Sequence, residues 1–258
     1  MDGLEWKRSK FSSFTQKLMK KMEKIAATKS DCLIADNIGI KNYLQEKYKI
    51  ESHFIPYSSE IFNLPNAEYL KPYNLKPYEY LLVIARMEPE NNIEMMIEGY
   101  IESKSEVPLF LIGNINNKYC QFLKGKYDKF KDKVVFQNAL YGKEVIDNLR
   151  YYSKYYLHGH SVGGTNPSLL EAMGAGSIII GHDNEFNRSV LKDTGFFFSS
   201  TNELSNLLQN LNLTDSDRLS LIYKNLDIIK KYYNQDYIVE EYEKLFATII
   251  EGNKKSYF

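Results

Sequence analysis

The sequence predicts an α/β fold with a doubly wound, parallel, Rossmann-like sheet. From Tyr80 onward, short apolar runs alternate with stretches of helical periodicity. A strand that is buried on both faces has no polar side, so continuous apolar runs are typical of a parallel sheet covered by helices. The predicted strands are Leu81–Ala85, Leu109–Gly113, Val134–Gln137, Tyr155–His158 and Ile178–Gly181, with helices over 91–104, 116–125, 142–153 and 167–175.

A smaller α/β segment precedes this sheet, and three helices follow it. Apolar residues at three- and four-residue steps predict a basic, amphipathic first helix. The segment is too small to hold a core of its own. The predicted elements are a helix over 9–30, a strand over 31–36, a helix over 38–48, a strand over 53–57, and tail helices near 202–212, 215–232 and 236–251.

The composition excludes several classes of protein. Basic and acidic side chains number 33 each, so no overall field attracts nucleic acid. Two cysteines are too few for a disulfide framework and indicate a reducing compartment. No apolar run approaches the roughly 18 residues of a membrane span, and no signal peptide opens the chain. We therefore expect a cytoplasmic protein that does not bind nucleic acid.

The most informative motif is HGHSVGGTNPSLLEAMGAG, from His158 to Gly176. A predicted strand runs into a glycine-rich turn, and Pro167 then suits the first turn of a helix. Free N–H groups and the positive end of the helix dipole at such a position favour an anion, usually phosphate. Glu171, one turn further, could accept hydrogen bonds from sugar hydroxyls. The alternative is an ordinary strand–turn–helix connection with a solvated glutamate.

This motif resembles the donor-site signature of retaining glycosyltransferases of family 4, which share the two-domain B-type fold. Gly163 departs from the signature, because it stands where the family has its first glutamate. The segments GGTNPS, HDNEFNRSVL (182–191) and DGLEWKR (2–8) look like a narrower branch, the bacterial rhamnosyltransferases of capsule or cell-wall synthesis. The matching residues are Gly164, Pro167, Leu169, Leu170, Glu171, Ala172, Met173 and Gly176.

The resemblance implies a division of the chain. Two complete doubly wound domains need roughly 300–400 residues, and the chain has 258. We therefore expect an N-terminally truncated enzyme with little transfer activity of its own. The implied parts are a remnant of the acceptor-side domain (1–60), a linker (61–78), a nucleotide-sugar domain (79–233) and a last helix that crosses back to the first domain (234–258).

The resemblance also implies roles for particular residues. Arg86 would grip the diphosphate and Glu171 the ribose, and these two are the expected catalytic residues. The N–H groups of Gly164, Thr165 and Asn166 would face the diphosphate and sugar. Asn91 stands where many relatives have a second cation, a lysine. Further expected substrate-binding residues are Gly113, Asn138, His160, Gly163, Ser168, Asn187 and Arg188.

The predicted reaction is transfer of a sugar, rhamnose by resemblance, from a dTDP- or UDP-linked donor to a saccharide or lipid-linked saccharide. No cofactor is expected. No third ligand accompanies His158 and His160 in the sequence, so a metal site is not expected either. The rivals are a non-catalytic donor-binding subunit, an inactive fragment, and an epimerase or phosphorylase on the same fold.

The first helix leaves two interpretations open. Residues 1–30 carry eight basic and three acidic side chains. Its apolar face could pack on the absent half-domain, which we favour, or lie on an anionic membrane. Apolar surface left uncovered by a truncation would also favour self-association.

Overall fold

The computed structural model describes residues 3–255, and their side chains as far as Glu251. Its centre is a six-stranded sheet in which every neighbouring pair is parallel. Its strands are β3 (Leu81–Ile84), β4 (Leu109–Gly113), β5 (Val134–Asn138), β6 (Tyr155–His158), β7 (Ile179–His182) and β8 (Phe196–Phe198). Their order across the sheet is β5-β4-β3-β6-β7-β8.

Helices cover both faces of the sheet, as the predicted fold class requires. Alternate residues of β3 point to opposite faces: Leu81 and Val83 belong to one apolar cluster, and Leu82 belongs to the other. The predicted α/β, Rossmann-like class is therefore confirmed. The helices of this part are α3 (Ile93–Glu102), α4 (Lys118–Lys126), α5 (Lys143–Tyr151), α6 (Pro167–Gly174), α7 (Glu185–Leu191), α8 (Thr201–Asn210) and α9 (Asp215–Tyr232).

The first segment is a two-stranded parallel sheet with two helices. Its elements are α1 (Ser13–Lys29), β1 (Ile34–Ala35), α2 (Ile38–Tyr48) and β2 (His53–Phe54). Its small core includes Ile40 and Leu44, and also Phe186 from α7 of the large sheet domain. The segment thus completes its core with a side chain from its neighbour.

The last helix, α10 (Gln235–Lys255), packs on the first segment. Ile238 and Leu245 of α10 form one buried cluster with Ile55, which follows β2. The apolar face of α10 therefore packs on residues near the other end of the chain.

Two parts differ from the sequence-based expectation. The predicted linker contains a 3-10 helix over Ala67–Tyr73, and Leu70 within it is buried in the core of the sheet domain. The sheet also has a strand, Phe196–Phe198, that the apolar pattern did not indicate. Three residues are too few to establish a period, and pairing with β7 fixes them instead.

One face of α1 carries large apolar side chains that are exposed, namely Phe14, Leu18, Met22 and Ile25. We call this row the α1 stripe. The only acidic residue of α1, Glu23, accepts hydrogen bonds from Trp6, Tyr43 and Tyr48 and pairs with Lys47, 2.7 Å away. Lys17, Lys21 and Lys24 are exposed. The accessible part of α1 is therefore apolar and cationic.

Candidate active site

The cleft that holds the candidate site lies at the topological switch point of the sheet. β3 lies between β4 and β6. The strands that follow β3 first extend the sheet on one side, through β4 and β5, and then on the other side, through β6, β7 and β8. In open α/β sheets such a point creates a crevice beyond the carboxyl ends of the strands. A cleft of about 1000 Å³ occupies this position. Its walls come from the ends of β3, β4 and β6, the start of α6, the α5 side and residues 58–62.

Two glycines bring the strand-end loops close together. A Cβ atom on Gly113 would lie 2.3 Å from the carbonyl oxygen of Ala85, and one on Gly159 would lie 2.0 Å from that of Asn91. No side chain fits at these distances. Because Gly113 and Gly159 have no side chains, the ends of β4 and β6 can lie directly against the loop after β3.

Arg86 lies where the resemblance expected a phosphate ligand. It follows β3, lines the cleft, and its side chain is 61% exposed. Its Nε is 3.9 Å from Oε2 of Glu88, a distance that leaves the guanidinium donors accessible. The same carboxylate lies 3.4 Å from Arg8. Arg8 therefore brings a second guanidinium to Glu88, although Arg8 does not line the cleft.

Glu171 projects from α6 into the cleft, and its side chain is 48% exposed. Its Oε2 is 2.5 Å from Nη2 of Arg150. Arg150 also donates to Ser168 Oγ, 3.1 Å away, and pairs with Asp147, 3.2 Å away. The sequence-based analysis missed Arg150, because an arginine in the last turn of a helix is ordinary. The only signal in the sequence was the position of Arg150 on the helix face that is otherwise directed toward the core.

The start of α6 is capped from within the motif. Asn166 Oδ1 accepts a hydrogen bond from the N–H of Ser168, 2.9 Å away, and Pro167 occupies the first turn. Asn166, Pro167 and Ser168 all line the cleft. The positive end of the α6 dipole therefore faces the cleft.

The glycine-rich turn before α6 is placed differently from the expectation. The N–H of Thr165 donates to Oδ2 of Asp36, 2.8 Å away, and Thr165 Oγ1 donates to the Asp36 carbonyl. Thr165 is buried. The expectation that its N–H faces a donor diphosphate is therefore wrong for this structure, because a carboxylate of the first segment already occupies that N–H.

The two glycines of the turn also face the first segment. Gly163 and Gly164 have φ angles of +82° and +56°. A Cβ on Gly163 would lie 2.3 Å from Cα of Gly3, and one on Gly164 would lie 2.5 Å from Oδ2 of Asp36. Neither glycine lines the cleft. Packing against Gly3 explains physically why the family's first glutamate has no room at position 163.

Two histidines lie in the cleft wall. His160 Nδ1 is 2.9 Å from Oδ1 of Asn91, and its Nε2 is 3.2 Å from the carbonyl oxygen of Gly163. Burial lowers the pKa of His160, and the nearby charges of Arg8 and Arg86 lower it further. Burial also lowers the pKa of His158 to about 3. Burial therefore disfavours the charged form of both rings.

Besides Gly163, Gly164 and Thr165, three further expected substrate-binding residues lie outside the cleft. Asn138 is exposed at the end of β5, beside lining residues 139–141. The buried Asn187 donates to the carbonyl oxygens of His160, 3.0 Å away, and His182, 2.8 Å away. Arg188 pairs with Asp183 and lies over the ring of Phe197. Asn187 and Arg188 therefore support neighbouring loops.

Six of the twelve expected residues thus line one cleft: Arg86, Gly113, His160, Asn166, Ser168 and Glu171. Whether they bind a donor stays a prediction. Within residues 3–251, no group of three or more His, Cys, Asp or Glu side chains is placed to hold a metal ion. Nor is any helix in the described part of the chain long and apolar enough to cross a membrane.

The sheet order and the cleft at its switch point define an α/β protein of the Rossmann-like, ligand-binding class. The chain belongs to the group 1 glycosyltransferases, since the model of the family described as Glycosyl transferases group 1 matches residues 67–227. A second model, described as a domain of unknown function (DUF1972), matches residues 1–60. No curated protein matches the chain.

Solved glycosyltransferases share this fold at low sequence identity. Sucrose-phosphate synthase from Thermosynechococcus elongatus superposes with a TM-score of 0.80 at 16% identity, covering 96% of this chain and 66% of that one. HepE from Anabaena, solved with UDP and glucose, gives 0.78 at 12% identity, covering 93% and 68%. A TarM mutant from S. aureus, solved in a complex that includes UDP, gives 0.73 at 15% identity, covering 95% and 50%. The chain thus spans about half to two thirds of these proteins.

Proposed function

We propose that the chain is the donor-binding half of a retaining glycosyltransferase that binds a nucleoside diphosphate sugar in the cleft beyond β3, β4 and β6. One observation carries the proposal: a guanidinium, Arg86, and a carboxylate, Glu171, converge on a single cleft at the switch point of the sheet. A nucleoside diphosphate needs this pair, because its phosphates are anionic and its ribose offers hydroxyl donors.

In this proposal the phosphate charge is met by Arg86 and the positive end of α6. A guanidinium matches phosphate oxygens with a fork of donors. The same groups would stabilise the nucleoside diphosphate as it leaves, and electrostatic stabilisation of this kind is usually the largest contribution to catalysis. Glu171 would accept hydrogen bonds from the ribose. No metal and no cofactor are needed for either role.

We propose rhamnose as the transferred sugar, from a dTDP- or UDP-linked donor. The acceptor would be a saccharide or lipid-linked saccharide in the synthesis of a capsule or cell-wall polysaccharide in the cytoplasm. The support is the likeness of GGTNPS, HDNEFNRSVL and DGLEWKR to that branch of the family; Asp2 of the last segment lies outside the described residues. HepE and TarM have been solved with UDP, which supports a nucleotide in this cleft.

The direct test is calorimetric titration with dTDP, UDP and GDP, with and without EDTA. At least one should bind with a millimolar or lower dissociation constant, unchanged by EDTA. Glu171→Ala should weaken that nucleotide about tenfold, the effect of losing one or two hydrogen bonds, and leave free pyrophosphate unaffected. Glu46→Ala, an exposed site on α2, is the matched control. Absence of binding by all three nucleotides would refute the proposal.

The rival function is a donor-binding subunit without catalysis of its own. We propose that this chain transfers sugar inefficiently, because orienting donor and acceptor together contributes up to about 7–11 kcal/mol. The test measures sugar transfer from nucleotide-linked rhamnose by two proteins: this chain, and a longer chain that includes any coding sequence upstream of it. If only the longer chain transfers rhamnose, the result supports a glycosyltransferase that needs its other half. If neither chain does, the result supports a donor-binding subunit without catalysis of its own.

We also propose that the α1 stripe packs against further protein and that the exposed lysines of α1 lie toward anionic lipid. The support is the exposure of four apolar side chains beside those lysines. Sedimentation with vesicles containing phosphatidylglycerol tests the lipid contact. Size-exclusion chromatography of the Phe14→Ser variant against the unaltered chain tests whether the stripe causes self-association.

A further inference from the structure

Arg150 is the most buried cation at the cleft. Its side chain is 4% exposed, although it lies among the cleft-lining residues. A buried charge is costly unless it is paired and hydrogen-bonded. Arg150 is paired on two sides, with Asp147 at 3.2 Å and with Glu171 at 2.5 Å. A structural cation of this kind would need only the first of these partners.

The two carboxylates differ in ways that suggest different roles. Asp147 is buried, with its side chain 7% exposed, and its second oxygen is 2.6 Å from Nζ of Lys143. Glu171 is 48% exposed and stands in the cleft. Asp147 can therefore neutralise Arg150 inside the protein, and the bond to Glu171 points outward from this pair toward the cleft.

Further bonds fix the guanidinium in its plane. Nη2 of Arg150 donates to Ser168 Oγ, 3.1 Å away, and Ser168 Oγ lies 2.8 Å from the hydroxyl of the buried Tyr156. Nη1 contacts Asp147. Arginine offers several donors in a rigid plane, whereas lysine presents a single flexible point charge. The direction of Nη2 toward Glu171 is therefore set by three elements, α5, β6 and α6.

We propose that Arg150 is a positioning residue of the donor site: it holds the Glu171 carboxylate at the cleft wall through Oε2 and leaves Oε1 for a sugar hydroxyl of the nucleoside. This inference rests on the proposed function. In residues 3–251 no hydrogen bond reaches Oε1 of Glu171. A glutamate fixed in advance loses less side-chain entropy when the ligand binds.

The consequence is energetic coupling between the two residues. Loss of Arg150 frees the Glu171 side chain, so a nucleoside diphosphate binds more weakly. Where Glu171 is already absent, Arg150 has nothing to position, and its loss should matter little. A merely structural role would weaken binding in both backgrounds alike.

A double-mutant cycle tests this. The affinity for the nucleotide that binds best, among dTDP, UDP and GDP, is measured by calorimetry for the unaltered chain, Arg150→Met, Glu171→Ala and the double variant. We expect Arg150→Met to weaken binding about tenfold in the unaltered chain and less than about twofold in the Glu171→Ala background. The affinity for free pyrophosphate should not change in any of them.

Two further variants keep the test decisive. Arg150→Lys retains the charge beside Asp147, so it replaces Arg150→Met in the cycle if that variant does not fold. Arg218→Met is the matched control, because Arg218 lies over the ring of Tyr78 and not in the cleft-lining set. It should bind nucleotide like the unaltered chain.

The outcomes separate the two proposals. If no nucleoside diphosphate binds the unaltered chain, the proposed function fails and the positioning role fails with it. If the nucleotide binds and Glu171→Ala weakens it, the function stands. In that case equal losses from Arg150 substitution in both backgrounds, or a comparable loss of pyrophosphate affinity, would overturn the positioning role alone.

Discussion

The sheet domain and the first segment are built from the same kind of unit but differ in self-sufficiency. The sheet domain has six parallel strands with an apolar cluster on each face. The first segment has two strands of two residues each, and its core includes Phe186 from the other part. A two-stranded sheet needs packing against other elements to persist. The sheet domain can therefore hold its shape alone, and the first segment depends on the contact between them.

That contact is concentrated at the glycine-rich turn. Asp36 accepts from Thr165, the side chain of Asn37 donates to Thr165 Oγ1, and Gly3 lies against Gly163. The segment that a family signature assigns to the ligand is here, in part, a docking point for another piece of the chain. One sequence motif thus serves two surfaces: residues 163–165 face the first segment, whereas Asn166, Pro167, Ser168 and Glu171 face the cleft.

Among the single substitutions, the largest loss of stability is expected from breaking this contact. Gly163→Ala introduces a Cβ that would lie 2.3 Å from Cα of Gly3, at a φ of +82°. We expect a loss of about 2–4 kcal/mol from steric overlap and backbone strain. Chemical unfolding by urea measures the total. Trp6, the only tryptophan, lies in the first segment, so its fluorescence reports separately whether that segment detaches.

The control for this substitution is Gly125→Ala. Gly125 lies within α4, and a Cβ there would meet nothing within 4 Å. Alanine is favoured over glycine in a helix by about 0.5–1 kcal/mol, so this variant should be slightly more stable. If Gly163→Ala were as stable as Gly125→Ala, the described packing of Gly3 on the turn would be wrong.

A pH-dependent loss of stability is expected from acid, and it should act on the sheet domain. His158, His160 and His182 all have pKa values lowered by burial, whereas His53 of the first segment is exposed. Below about pH 6.5 the unfolded chain binds protons that the folded chain does not. Stability should therefore be flat above pH 6.5 and fall below it.

For each histidine that stays neutral in the folded chain, the loss is up to about 1.4 kcal/mol per pH unit. For His158 this window extends down to its pKa of about 3. Urea unfolding at pH 7, 6 and 5 measures the slope, and His158→Asn should reduce it. A free energy of unfolding that is constant from pH 7 to 5 would show that these rings are not kept neutral.

The smallest effect is expected at Arg188. Its side chain is 56% exposed, pairs with Asp183, and lies outside the cleft. Arg188→Ala should change stability very little, because exposed ion pairs contribute little to folding, and should leave nucleotide affinity within about twofold. Arg86→Ala is the contrasting variant for the same titration. A large loss of affinity in Arg188→Ala would restore the sugar-binding role that the resemblance assigned to it.

Much of the sheet domain could be predicted from apolar runs, since each run is local in the sequence. The strand Tyr155–His158 has the predicted bounds, and β3 ends at Ile84, one residue earlier than expected. Arg86 and Gly113 lie at the carboxyl ends of two predicted strands, the edge at which open α/β sheets bind ligands. Local pattern and a single topological rule were sufficient for this part of the site.

The remaining features depend on partners that are distant along the chain. The bond between Asp36 and Thr165 joins residues 129 positions apart, so the turn alone gives no sign that its N–H is occupied. Arg150 and Glu171 are 21 positions apart and lie on different helices. The sequence around either residue gives no indication that the other lies beside it. Only the packing of α5 beside α6 brings the two side chains together.

The packing of α10 on Ile55 has a consequence for how the chain acquires its structure. The residues of this cluster, Ile55 and Leu245, are about 190 positions apart. Contacts between such distant residues form late, because the entropy cost of closing a long loop must be met before the contacts can stabilise the chain. During synthesis the sheet domain can assemble before α10 exists, whereas the cluster around Ile55 must wait for the final helix. Until then Ile55 and its apolar neighbours remain uncovered, and uncovered apolar surface in a nascent chain is prone to aggregation.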